Sequence, residues 1–178
     1  MVSMADNRDC KTIERLRLTI CGIVQGVGFR PFVYRAANRL SLTGWVRNSS
    51  AGVLLEVQGC LTDLSAFEKE LRTNAPPLSS ISSISREIIP AIPEENCFQI
   101  LSSTQGESAI QIAPDASICP DCLKELLDPA DRRYLYPFIN CTNCGPRYSI
   151  IKAIPYDRQH TTMADFQQCP ACQTTLRR

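Results

Sequence analysis

The sequence predicts an α+β module of about ninety residues, enough for one modest core, followed by a small cysteine-rich region. Three observations carry this. Leu16, Leu18 and Ile20 alternate with Arg17, Thr19 and Cys21, the period-two pattern of a half-buried strand. Phe32, Val33, Ala36, Ala37 and Leu40 then recur at helical spacing. Six of the ten cysteines fall into three Cys-x-x-Cys pairs, all beyond residue 118.

The elements follow in order. Residues 1–14 are polar at their start and read as a flexible tail. The first strand runs through Leu16–Cys21, and a helix is expected from Pro31, since proline is favourable in a first turn. Strand patterns over 42–48 and 53–59 are joined by the turn Ser49-Ser50-Ala51-Gly52. A second helix is expected over 64–71, with Thr62 or Asp63 as N-cap, and Pro76-Pro77 closes it. Two more strands are expected, near 81–89 and 97–101; the first of them completes the order β-α-β-β-α-β, the split βαβ of the ferredoxin-like architecture. The expected domain therefore spans 15–101, with a polar linker over 102–114 and a cysteine-rich region over 115–178.

Between the first strand and the first helix lies Gly22-Ile23-Val24-Gln25-Gly26-Val27-Gly28-Phe29-Arg30. Its glycines permit positive φ, so the amides of Gln25, Gly26, Val27, Gly28 and Phe29 can curl around an anion. A helix N-terminus directly behind adds further unpaired N–H groups and the positive end of a dipole. Arg30 can add a permanently charged, bidentate fork. The stretch fits neither a P-loop, which needs Gly-Lys followed by Ser or Thr, nor the dinucleotide fingerprint Gly-x-Gly-x-x-Gly. On spacing alone, a glycine-rich turn without a ligand is an equal alternative.

Downstream, Gly44-Trp45-Val46-Arg47-Asn48 precedes the Ser49–Gly52 turn. Together the two stretches resemble the signature motifs of the acylphosphatase family, with Gly59 one position early and Leu54 in place of the usual Val. The resemblance implies an acylphosphatase sandwich that hydrolyses acyl phosphates. In it, Arg30 and the 25–29 amides hold the phosphoryl group and Asn48 orients the attacking water. The chemistry is coherent on its own terms. The leaving carboxylate or carbamate needs no strong acid, so positioning and charge stabilisation suffice. Read by itself, Asn48 fits a turn or capping residue better; paired with the cradle, the catalytic reading prevails.

The cysteines read as metal ligands rather than disulfides. No apolar segment at the N-terminus suggests a secretion signal, and no stretch is long enough to span a membrane, so a reducing, cytoplasmic setting is expected. Cys119/Cys122 and Cys141/Cys144 are separated by eighteen residues, the spacing of a four-cysteine structural zinc site. Cys169/Cys172 begins after twenty-four more, and a partner pair at the same spacing would start about thirteen residues beyond Arg178, so a second finger looks cut short. His160, the one histidine, is a weaker ligand candidate. Cys21, Cys60 and Cys97 read as strand residues and Cys10 as a tail residue.

The runs Tyr136–Arg147, Pro155-Tyr156-Asp157-Arg158 and Thr161-Thr162-Met163, behind the first module, resemble the N-terminal part of the hydrogenase-maturation carbamoyltransferases. That resemblance spans about residues 15–178. It implies carbamoyl phosphate as substrate and two tandem fingers. It also implies nucleotide-binding and transferase domains outside this chain, and a partner protein whose C-terminal cysteine accepts the carbamoyl group on its way to the cyanide ligands of a nickel–iron site.

No nucleotide-binding motif is visible in the chain itself. The net charge is +1, and residues 115–178 hold eight Lys or Arg against seven Asp or Glu, which gives no basic footprint for nucleic acid and no membrane steering. A free-standing general acylphosphatase with a zinc appendage is the alternative, and a zinc-ribbon binding module stands behind it. Tyr134, Tyr136 and Phe138 are a candidate docking surface, or else pack on the knuckles.

Overall fold

The computed structural model describes residues 12–103, 117–141, 144, 150–153, 158–167 and 170. Residues 1–11 of the expected tail, most of the linker, and both Cys169 and Cys172 lie outside the described residues.

The first module contains β1 (Ile13–Ile23), α1 (Phe29–Arg39), β2 (Thr43–Ser49), β3 (Gly52–Cys60), α2 (Leu61–Thr73), β4 (Ser80–Ile89) and β5 (Phe98–Ile100). They build one sheet in the order β4-β1-β3-β2-β5. β1 is antiparallel to both β3 and β4, and β2 is antiparallel to β3. Each helix therefore crosses between parallel strands that flank a third, the interleaved pair of split βαβ units expected from the element order. β5 is an addition to that plan. Its three residues pair parallel with Gly44–Val46 at the edge of β2.

The helices cover one face. Leu16, Leu18 and Ile20 of β1, Val46 of β2, and Val53, Leu55 and Val57 of β3 meet Phe32, Val33, Ala36 and Ala37 of α1 and Leu64, Phe67 and Leu71 of α2, all buried. The period of two and the period of 3.6 thus select a single shared core.

Both helices start earlier than their sequence patterns suggest. α1 begins at Phe29 because Gly28 takes a left-handed conformation (φ 74°) as N-cap, and the Phe32 N–H already donates to the Gly28 carbonyl at 3.1 Å. α2 begins at Leu61 with Cys60 as N-cap, so neither Thr62 nor Asp63 caps it; Asp63 lies in the first turn, where the dipole favours its charge. Cys60 also departs from expectation in being disulfide-bonded.

The other face of the sheet is polar and covered in part. Arg15, 1% exposed, donates to Glu56 at 2.9 Å and to Glu95 at 3.0 Å. Arg17 donates to the other oxygen of Glu56 at 2.8 Å. Gln58 Oε1 accepts from the Ile92 N–H and its amide donates back to the Ile92 carbonyl, which ties the β4–β5 connection across the sheet. Burial opposes ionisation of Glu56, but hydrogen bonds from Arg15 and Arg17 outweigh it and hold the carboxyl below its ordinary pKa.

Beyond the linker, α3 (Pro120–Leu127) starts at an N-cap Cys119 with proline in its first turn. Ile139 packs with Cys122 and Cys144 into a second, small buried cluster. Among the described residues, no helix is long and apolar enough to cross a membrane.

Candidate active site and metal centre

The loop from Val24 to Gly28 leaves the end of β1 and enters α1, so its conformation is clamped at both ends. Gly26 and Gly28 have φ of 73° and 74°, values a side chain would resist. Burial alternates along the loop. Gln25, Val27 and Phe29 are buried, whereas Gly26, Gly28 and Arg30 remain partly accessible. Val24 and Val27 insert into the main core at 1% and 0% exposure and peg the loop from below. The side chains of Val27 and Phe29 are thus taken up by the core. Arg30 lies in the first turn of α1, beside the N–H groups that the helix leaves unsatisfied.

Asn48 sits on the penultimate position of β2, 1% exposed and on the helix-covered face with Gly44 and Val46. Arg47, on the opposite face, stacks over Trp45 with its guanidinium carbon 4.7 Å from the ring centroid. Alternation therefore separates the two polar neighbours, and only Asn48 is turned toward the side from which the cradle and α1 approach.

The cradle and the strand bearing Asn48 are joined directly. The side-chain amide of Gln25 donates to the Ser49 carbonyl at 2.8 Å and to the Gly52 carbonyl at 2.7 Å. The sequence placed Gln25 in the phosphate loop through its amide. The structure adds a second use of the residue, which joins positions 24 and 27 apart in the chain and leaves no local signal. The arrangement sets amide donors, a helix N-terminus and an arginine on one side, and a buried carboxamide on a neighbouring strand end.

In the second module, the sulfurs of Cys119, Cys122, Cys141 and Cys144 all lie within 4.8 Å of one another. Individual pairs stand at 3.6 Å (Cys119–Cys141), 3.8 Å (Cys122–Cys144) and 3.9 Å (Cys141–Cys144). Four thiolates about 2.3 Å from a tetrahedral zinc would be about 3.8 Å apart, so the geometry fits structural zinc. The Cys141 N–H points at Cys144 Sγ at 3.4 Å. Burial, followed by hydrogen bonds that its S–H gives to the neighbouring sulfurs, pushes Cys122 up. Cys144, despite its burial, is held down to about 7 by backbone hydrogen bonds from Cys141 and Cys119. A bound zinc would keep all four as thiolates and close this small module.

His160 lies in a short 3-10 turn, Arg158–His160, and its carbonyl accepts from the Lys152 and Ala153 amides. It does not join the four cysteines, which form the one metal-competent group among the described residues. Tyr134, Tyr136 and Phe138 are exposed by 45%, 43% and 68%, so they do not pack on the knuckles; Ile139 does.

Comparison with known proteins agrees with both modules. Residues 16–100 match the acylphosphatase family, and residues 118–151 match the HypF finger. An acylphosphatase of Clostridium beijerinckii is 38% identical over 87 residues, 48% of this chain and 96% of that protein. The chain belongs to the acylphosphatase family. Its acylphosphatase domain is joined to a HypF finger, a pairing that extends the similarity to larger proteins. The carbamoyltransferase HypF2 of Cupriavidus necator is 51% identical over 164 residues, 91% of this chain. The carbamoyltransferase HypF of Rhizobium leguminosarum is 53% identical over 153 residues, 85% of this chain. A full-length HypF solved in a phosphate- and nucleotide-bound form superposes with a TM-score of 0.85 at 48% identity, covering 91% of this chain and 21% of that one. The chain spans about a fifth of the length of the carbamoyltransferases it matches.

Proposed function

We propose that the chain hydrolyses carbamoyl phosphate to carbamate and phosphate at a site formed by the 25–29 amides, Arg30 and Asn48, as one step of a carbamoyltransferase reaction. The observation that carries this is the pair of left-handed glycines, Gly26 and Gly28, which turn the loop into α1 directly ahead of Arg30. Successive amides, the helix N-terminus and the guanidinium then converge on one anion, as a phosphoryl group requires.

In this reading the non-bridging phosphoryl oxygens lie in the cradle and against Arg30. Asn48 holds a water in line with the bond to the leaving group. The water oxygen bonds to phosphorus as the phosphorus–oxygen bond to the acyl group breaks, and carbamate departs with the bond electrons. The proton of the water passes to a phosphoryl oxygen. Carbamate is a good leaving group, so no general acid is required.

The carbamoyl preference draws its support from the HypF finger and the carbamoyltransferase relatives, and so does the place in hydrogenase maturation. The ATP-dependent transfer and the carbamoyl-accepting partner protein would belong to domains outside this chain. We also propose the boundaries 15–101 for the catalytic domain, 102–114 for a linker, and Cys169 and Cys172 as the first ligands of a second finger. Phosphate release from carbamoyl phosphate and acetyl phosphate tests the substrate. A clear preference in kcat/KM for carbamoyl phosphate is expected. Equal turnover would instead make this a general acylphosphatase with a zinc appendage.

A further inference from the structure

We infer that the side chain of Gln25 is a positioning residue, which sets the distance between the phosphate cradle and Asn48. The inference rests on the site proposed above and deepens it.

Both hydrogens of the Gln25 amide nitrogen are committed, to the Ser49 carbonyl at 2.8 Å and the Gly52 carbonyl at 2.7 Å. Two carbonyl acceptors fix the orientation of the amide, because a flip would set Oε1 against two oxygens. The residue is 4% exposed, and Oε1 is buried with no hydrogen-bond partner among the described residues. A buried acceptor left in that state costs free energy, and the cost persists here because the donor side is held.

What the two bonds connect gives them their meaning. Gln25 is the first residue of the cradle, ahead of Gly26 and its positive φ. Ser49 directly follows Asn48 and pairs with Gly52 across the β2–β3 turn. The Ser49 hydroxyl donates to the same Gly52 carbonyl at 3.3 Å, so the turn is closed on itself as well as on the loop. A single side chain therefore spans the two parts of the site that lie on different elements, one binding phosphate and one holding water. Loosening it leaves each half intact and changes their spacing. In-line attack is sensitive to that spacing, since a displacement of about 1 Å is enough to cost about a hundredfold in rate.

The test is steady-state kinetics on the whole 178-residue chain, with acetyl and carbamoyl phosphate, for Gln25→Met, Asn48→Ala and the double variant. Methionine keeps the length of the side chain and removes both donors without adding charge. The expected result is a fall in kcat of about 10–100-fold with KM changed by less than about threefold. In the Asn48→Ala background the same substitution should cost less than about threefold, because the group it places is gone. A kcat within about twofold of wild type would overturn the inference. So would an equal factor in both backgrounds, which is the signature of a general loss of structure. Should Gln25→Met fail to fold, Gln25→Glu decides. Its carboxylate cannot donate, whereas its protonated form can, so kcat relative to wild type should rise as pH falls through the carboxyl pKa. A flat ratio would count against the tether. Failure of the site itself would show separately, as an Arg30→Ala variant that turns over normally.

Discussion

Gly52 joins the fold to the site, and its replacement by alanine gives a sharp test of both. Its φ is +136°, and an added Cβ would lie 2.2 Å from the Ile20 carbonyl oxygen, 3.2 Å from the carbonyl carbon and 3.3 Å from Cys21 Cα. All three atoms are backbone of β1. That strand cannot recoil, because Ile20 pairs with Val53 on one side and Ile84 on the other. The steric term for overpacking is about 1–3 kcal/mol, and the positive φ adds about 1–2 kcal/mol. A loss of about 3 kcal/mol is therefore expected, which for a domain of this size lowers Tm by roughly 12–24 °C. Gly59→Ala is the matched control. Its Cβ would meet Leu42 Cδ2 at 2.3 Å, a comparable overlap, but the next atom is Leu42 Cγ at 3.7 Å, so rotation of one side-chain end relieves it. That variant should lose about 1 kcal/mol. Urea unfolding of both variants, followed by circular dichroism, measures the difference. Equal losses, or a Gly52→Ala loss below about 1 kcal/mol, would refute the reasoning from backbone contact. Since the Gly52 carbonyl accepts from Gln25, turnover should fall along with stability.

Three other outcomes are expected. Arg15→Met leaves Glu56 and Glu95 without their buried partner and should destabilise the domain by about 3 kcal/mol. The pH dependence follows from the same network. Glu56 is held below its ordinary value of 4.5, so its stabilisation is complete above that value and is lost as pH falls through the lowered pKa. Thermal unfolding between pH 3 and 7 (about the range in which a carboxylate titrates) should show that acid loss in wild type and a shallower one in Arg15→Met; parallel curves would count against the pairing. Cys122→Ser should abolish zinc retention by residues 119–144 while leaving phosphate release unchanged, checked by metal analysis beside the kinetic assay. A parallel loss of activity would mean that the two modules work as one unit.

Much of this molecule was legible before the structure because its signals are local. The alternation in β1, the helical spacing in α1 and the glycines of the cradle each lie within a dozen residues, and the cysteine pairs carry their spacing with them. The helix starts leave no such signal, since a left-handed Gly28 and an extended Cys60 cap their helices by backbone geometry, without a side-chain oxygen. The β5 strand is recognisable as a strand, yet nothing in Phe98–Ile100 says that it extends the sheet parallel to β2. The remaining omissions are tertiary. Arg15 meets partners 41 and 80 residues away, and Gln25 meets carbonyls 24 and 27 residues away, so neither ion network nor tether leaves a periodic trace. The aromatic residues after Arg133 illustrate the converse. Their composition fits a docking surface and packing alike; Ile139 fills the space against the knuckles and leaves Tyr134, Tyr136 and Phe138 outside.

The most direct test of the proposed site is phosphate release by wild type, Arg30→Ala and Asn48→Ala at saturating acyl phosphate. Removing a preorganised charge donor of this kind costs about 3–4 kcal/mol, so Arg30→Ala should be slower by about two to three decades, and Asn48→Ala should lose kcat with little change in KM. Zinc content and Tm should stay at wild-type values. Turnover by Arg30→Ala within about threefold of wild type would contradict the assignment of the cradle as the phosphoryl site.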